Sequence, residues 1–213
     1  MLRTALASAL LVLLSHTAAQ WLTHDYQVWT AEGARRLQVA LHPVSAPHIV
    51  MDGPGVEGQT LHTLLADGRT VTIVDFMYTR CLTVCGVLGG VFQQLQSAIR
   101  EGERVGGAAP LRLLSISFDP GHDDAATMRA YGAGLSADPR IWRFVRVADA
   151  AQLQQLLDRY EVTVIPDGLG GYEHNAALLV IDPHGQMRHV FDYGEPDSAL
   201  AFARWLGHGE AQR

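Results

Sequence analysis

At 213 residues, 48% of them hydrophobic and 18% charged, the chain can bury a full core without disulfide staples, which excludes a protein disordered over most of its length. A formal charge of −6 with no dense arginine run argues against a nucleic-acid partner. All 16 basic residues are arginine, so lysine Schiff-base chemistry and a P-loop are excluded as well.

The first segment, MLRTALASALLVLLSHTAAQW, has a short positive region at Arg3, an apolar stretch over residues 5–14 and small residues Thr17-Ala18-Ala19 suited to cleavage before Gln20. It reads as an export signal over residues 1–19, or as an uncleaved anchor facing the periplasm. No cysteine follows it, which argues against a lipoprotein. Residues 20–44 are expected to be an extended lead-in, and the irregular run to residue 60 has turns at His42-Pro43, Ala46-Pro47 and Gly53-Pro54-Gly55 with room for a small hairpin. The apolar run over 71–77 predicts a strand buried on both faces. Residues 84–99 predict a helix, with Val84, Val87, Leu88, Val91, Leu95, Ala98 and Ile99 along one side. A second buried strand is predicted over Leu111–Phe118, ended by Asp119-Pro120-Gly121, then a helix through Tyr131 capped by Asp123 or Asp124. Trp142–Val147 reads as a short strand and Asp149–Tyr160 as a capped amphipathic helix. Ala176–Asp182 and Met187–Tyr193 read as a hairpin about Pro183-His184-Gly185, and Glu195–Leu206 as a closing helix. This order predicts an α/β domain over residues 45–206, a mixed central sheet flanked by helices in the thioredoxin-like manner, with a tail over 207–213.

The two cysteines, Cys81 and Cys85, fall where the first core strand gives way to a helix. Open α/β sheets place ligands at such strand ends. A three-residue spacer puts i and i+4 on one helical face, so both sulfurs can serve a single ion or each other. The helix N-terminus and Arg80 favour the thiolate form. Export adds an oxidising compartment, in which two cysteines form a disulfide, a metal site or a cycling redox pair. A purely structural disulfide is the poorest of these, because so short a loop removes little chain entropy.

FMYTRCLTVC at the strand-to-helix junction, SISFDP about thirty residues on and YEHNAALLVIDPHGQ later resemble the Sco/SenC family of copper-binding thioredoxin-like proteins, over roughly residues 45–206. The resemblance implies a copper site of Cys81, Cys85 and His174 and a role in assembling the copper centre of cytochrome c oxidase. It implies as partners a copper-accepting oxidase subunit or another copper protein, and a thiol reductant. The chemistry is consistent: two soft thiolates suit Cu(I), and an added imidazole can also hold Cu(II). Asp119 matches the family's DP aspartate, as a neighbour of the ligands or a cap of the loop. Many members carry proline after each cysteine, where this chain has Leu82 and Gly86, and Glu173 stands where an aspartate is frequent.

The leading expectation is a copper metallochaperone. Its competitor is a thiol:disulfide oxidoreductase that keeps a copper protein's cysteines reduced, using Cys81 and Cys85 as the redox pair without need of His174. Whether the chain is an enzyme stays open at this level, with metal delivery preferred. Asp75 is a secondary candidate, since a carboxylate in a buried strand needs a partner or a raised pKa. Met77 and Tyr78 read as packing residues that could line the site, and His122, His184 and His208 as solvated.

Overall fold

The computed structural model describes residues 2–23, 25–26, 28–81, 84–105 and 109–211, with the side chains of 84–86 and 210–211 outside the description. The chain forms two compact units, residues 1–42 and 43–213. In the first, α1 (Leu2–Leu22) is a 21-residue helix with no buried residue, long and apolar enough to cross a membrane and longer than the stretch expected over 5–14. Helix α2 (Ala31–Leu41) begins at Thr30, whose side chain accepts from Gly33 N–H. The expectation of an extended lead-in fails here. The sequence AEGARRLQVAL is polar enough to hide a helix whose clearest mark is that cap.

The second unit is built on an eight-stranded sheet of order β1-β10-β9-β4-β5-β6-β2-β3. Its strands are β1 (Val44–Ser45), β2 (Val50–Gly53), β3 (Val56–Thr60), β4 (Val71–Met77), β5 (Leu111–Ser117), β6 (Trp142–Arg146), β9 (Ala177–Ile181) and β10 (Gln186–Asp192). Strands β7 (Val164–Pro166) and β8 (Tyr172–His174) form a separate two-stranded ribbon. β4 and β5 pair in parallel from Val71↔Leu111 to Met77↔Ser117, and β5 pairs in parallel with β6. β9 runs antiparallel to β4 and β10 antiparallel to β9, as the expected hairpin requires. The small hairpin of the lead-in is β2–β3, turning at Gly55 with φ 73°, a conformation glycine adopts without a Cβ penalty.

Parallel neighbours need long crossovers, and helices supply them: α4 (Val84–Val105) between β4 and β5, α5 (Ala125–Gly134) between β5 and β6. Asp124 caps α5 by accepting from Thr127 N–H, and Asp149 caps α6 (Ala150–Arg159) by accepting from Gln152 N–H. α3 (Leu61–Leu65) is a short turn capped by Thr60. α7 (Pro196–Ala211) continues past the end expected at Leu206. Every residue of β4 is buried, as its uniform apolarity foretold. On one face of the sheet Phe92 of α4 meets Trp142 at 5.4 Å between centroids. Phe76, of opposite parity to Asp75, meets Tyr160 at the end of α6. Helices therefore cover both faces, which is why β4 lacks the alternation of a half-exposed strand.

Candidate functional site

β4 leaves the core at Met77, and the chain turns at once: Cys81 N–H donates to Tyr78 O at 3.3 Å. Cys81 is half-buried in this turn, before α4 begins at Val84, while Cys85 lies in the helix's first turn. The reading of both cysteines as i and i+4 of one helical face is thus corrected, because the turn at Tyr78 keeps Cys81 outside the helix. The Cys85 side chain and residues 82–83 lie outside the described residues.

Two aspartates from the loop after β5 tie this turn down. Asp123, fully buried, accepts from Thr79 N–H at 2.9 Å and from the Ser117 hydroxyl at 2.6 Å, and its other oxygen accepts from the Thr79 hydroxyl. Asp119 takes an ion pair from Arg80 at 2.6 Å, and its own N–H donates to Ser117 Oγ. Arg80 is therefore engaged with a carboxylate, which offsets the positive potential expected from it near Cys81. Asp119 orders the loop, one of the two roles expected of it. The role of Asp123 was not legible, because with Asp124 also available both carboxylates suited the cap; Asp124 takes it and frees Asp123 for Thr79.

His174 ends β8. Its ring packs edge-on against Phe118, at 5.0 Å between centroids, just beyond β5. Phe118 lies 5.3 Å from Tyr78 and 5.7 Å from Tyr172, and Tyr78 meets Tyr172 at 5.2 Å. Tyr172 N–H donates to the Tyr78 hydroxyl at 3.0 Å, fixing the ribbon to the end of β4 by a polar bond as well. A Cβ at Gly171 would stand 2.5 Å from Asp167 Oδ2 and 3.0 Å from the Tyr78 hydroxyl oxygen, so a side chain there requires the Asp167 carboxylate to shift. His174 and Cys81 thus flank one aromatic cluster at the same end of the sheet. Burial pushes the His174 pKa below its ordinary value, which favours the neutral imidazole that a metal requires. Among the described residues no group of three or more His, Cys, Asp and Glu is gathered to hold a metal.

Asp75 sits deeper in β4, opposite Ser115, and burial raises its pKa to about 7 while a hydrogen bond with Ser115 pulls the other way. Trp142 Nε1–H donates to the same Ser115 hydroxyl oxygen at 2.9 Å. Met77 is buried core, and His122, His184 and His208 are exposed.

A buried parallel β4–β5 pair, an antiparallel hairpin beside it and a cysteine turn at the strand end define a thioredoxin-like α/β domain. The SCO1/SenC family model matches residues 56–204, and the chain belongs to that family. A SCO1 protein homolog of Bacillus subtilis is 20% identical over 119 residues, which are 55% of this chain and 59% of that one, so the match spans about three fifths of the curated relative. Among solved structures, BsSco, a member of the Sco family of cytochrome c oxidase assembly proteins in which a disulfide switch was identified, is 16% identical. It matches with a TM-score of 0.65, over 78% of this chain and 95% of its own. Copper-bound ScoI of Bradyrhizobium japonicum is 22% identical, with a TM-score of 0.58 over 77% and 97%.

Proposed function

We propose that the chain captures copper through the Cys81 and Cys85 thiolates and the His174 imidazole and passes it, by ligand exchange, to a copper-accepting subunit of cytochrome c oxidase. The observation that carries this reading is the shared aromatic cluster: Tyr78, three residues before Cys81, and Phe118, against which His174 packs, are in contact. Family membership and the copper held by the Bradyrhizobium relative support it. The donor set fits the cargo, since two thiolates favour Cu(I) and one imidazole makes the set acceptable to Cu(II).

Each part of this chain then has a task. Cys85, in the first turn of α4, lies where a helix dipole favours the thiolate, so a proton leaves more readily on capture. Partial burial of the His174 imidazole favours its neutral form, so less proton loss accompanies capture. Asp123 and Asp119 hold the turn that carries Cys81, leaving the metal less reorganisation to impose. α1 serves as export signal or anchor, placing the domain on the periplasmic side. The second reading, thiol:disulfide exchange at Cys81 and Cys85, is favoured by the disulfide switch of BsSco. The two differ in whether His174 matters, so copper titration of the reduced chain with and without that imidazole decides between them.

A further inference from the structure

At the other end of the sheet lies a cleft of about 650 Å³ lined by Ser45, His48, His62, Gln155, Arg159 and Gln186, among others. Ser45 pairs with Gln186 at the start of β10, and β9 ends opposite Thr72 near the start of β4, whereas Cys81 follows the strand's exit. The cleft and the cysteine turn are therefore separate sites.

Its walls are held by main-chain bonds. Ala46 N–H donates to Gly185 O at 2.8 Å, Leu61 N–H to Ile49 O at 2.8 Å and His62 N–H to Pro47 O at 3.1 Å, so the 46–49 segment is strapped between the β9–β10 turn and α3. This holds the His48 and His62 rings in a stack 4.4 Å apart and 26° from parallel. Stacking occupies the ring faces and leaves the edge nitrogens, which make no hydrogen bond among the described residues. Arg159 is oriented by its Nε–H, which donates to Ser45 O at 3.3 Å, and its terminal nitrogens meet no carboxylate among the described residues. The Ser45 hydroxyl donates to Gln186 Oε1 at 3.0 Å, which leaves the Gln186 NH₂ group for another acceptor.

No aspartate or glutamate lines this cleft, in a chain where acidic residues outnumber basic ones by 22 to 16. A guanidinium, two imidazoles and two amides without a counter-charge form a donor-rich wall. That arrangement disfavours a metal cation, which would face Arg159 with only two imidazoles to hold it. It suits an oxyanion, which a guanidinium binds through charge-assisted bonds and which imidazole and amide N–H groups can complete. We propose that this cleft binds a phosphate group, with Arg159 as the charged anchor and His48, His62 and Gln186 as further donors.

The phosphate could come free from solution or from a phospholipid headgroup, and two probes separate these sources. The full chain in non-ionic detergent is titrated calorimetrically with inorganic phosphate and with glycerophosphoglycerol, a headgroup diester, at constant ionic strength against chloride. Saturable binding of either probe is expected, the tighter one naming the source. Arg159→Gln should weaken it about tenfold or more, the worth of a lost hydrogen bond to a charged group. His48→Gln should weaken it less and serves as a second variant should the first unfold. Copper uptake should be unchanged in both, so this proposal and the copper reading fail independently. Binding of neither probe beyond chloride, or equal binding by wild type and both variants, would overturn it.

Discussion

The two supports of the candidate site differ in kind. Cys81 follows a strand buried throughout its length and is held by polar bonds: Thr79 and Ser117 converge on Asp123, and Arg80 on Asp119. His174 stands on a two-stranded ribbon outside the main sheet, held by aromatic edges on Phe118 and Tyr78 and by the bond from Tyr172 N–H to the Tyr78 hydroxyl. Polar bonds fix direction, whereas aromatic contacts tolerate small displacements. The Cys81 side is thus the rigid half of the candidate site and the His174 side the adjustable half, an arrangement that would suit the proposed capture and release of copper.

The rigid half carries a cost that can be measured. With its pKa raised to about 7 in the folded chain and near its ordinary value of 3.8 when unfolded, Asp75 is protonated in both states below pH 4 and contributes no pH dependence there. Between pH 4 and 7 unfolding releases its proton, so stability falls as pH rises through that window, by an amount on the order of 4 kcal/mol, and levels off above pH 7. Asp75→Asn should flatten this slope and stabilise the chain at pH 8, as read by urea denaturation across pH. An unchanged pH profile would mean that the carboxyl finds water or a partner on ionisation.

Asp123→Ala acts on the Cys81 turn itself and is of at least comparable size. It strips a buried acceptor from Thr79 N–H, Thr79 OH and Ser117 OH, costing about 1–3 kcal/mol for each group left unpaired. Loosening of the Cys81 turn should also weaken copper by about 10–100-fold, as loss of a residue that orients a ligand does. Gly171→Ala probes the other half, driving a methyl toward Asp167 and the Tyr78 hydroxyl and so prising the ribbon from β4. Its expected destabilisation is about 0.5–3 kcal/mol, with a smaller loss of copper affinity than Asp123→Ala. Equal losses of affinity in the two variants would break the distinction between a rigid and an adjustable half.

The same contrast explains what the sequence made legible. β4, β5, the β9–β10 hairpin and the helices between them were readable because apolar runs of strand length and turn residues such as Pro183-His184-Gly185 agree about them. The ribbon was not: Val164-Ile165-Pro166 and Tyr172-Glu173-His174 are too short for a period to show and are separated by the turn residues Asp167-Gly168 and Gly170-Gly171. His174 was consequently singled out by family resemblance rather than by pattern, and the packing of Phe118, Tyr78 and Tyr172 around it depends on long-range contact that no local window contains. Cys81 was identified from spacing, but its place outside α4 follows from the bond to Tyr78 O, which spacing does not encode.

The central claim, that His174 completes a copper site begun by the two thiolates, is tested most directly by anaerobic Cu(I) competition titration of the reduced full chain beside its His174→Ala variant. The account predicts one tightly held copper per chain in the wild type and a greatly weakened one in the variant. Wild-type and variant chains that hold copper equally, or that take none while still reducing a partner disulfide, would contradict it.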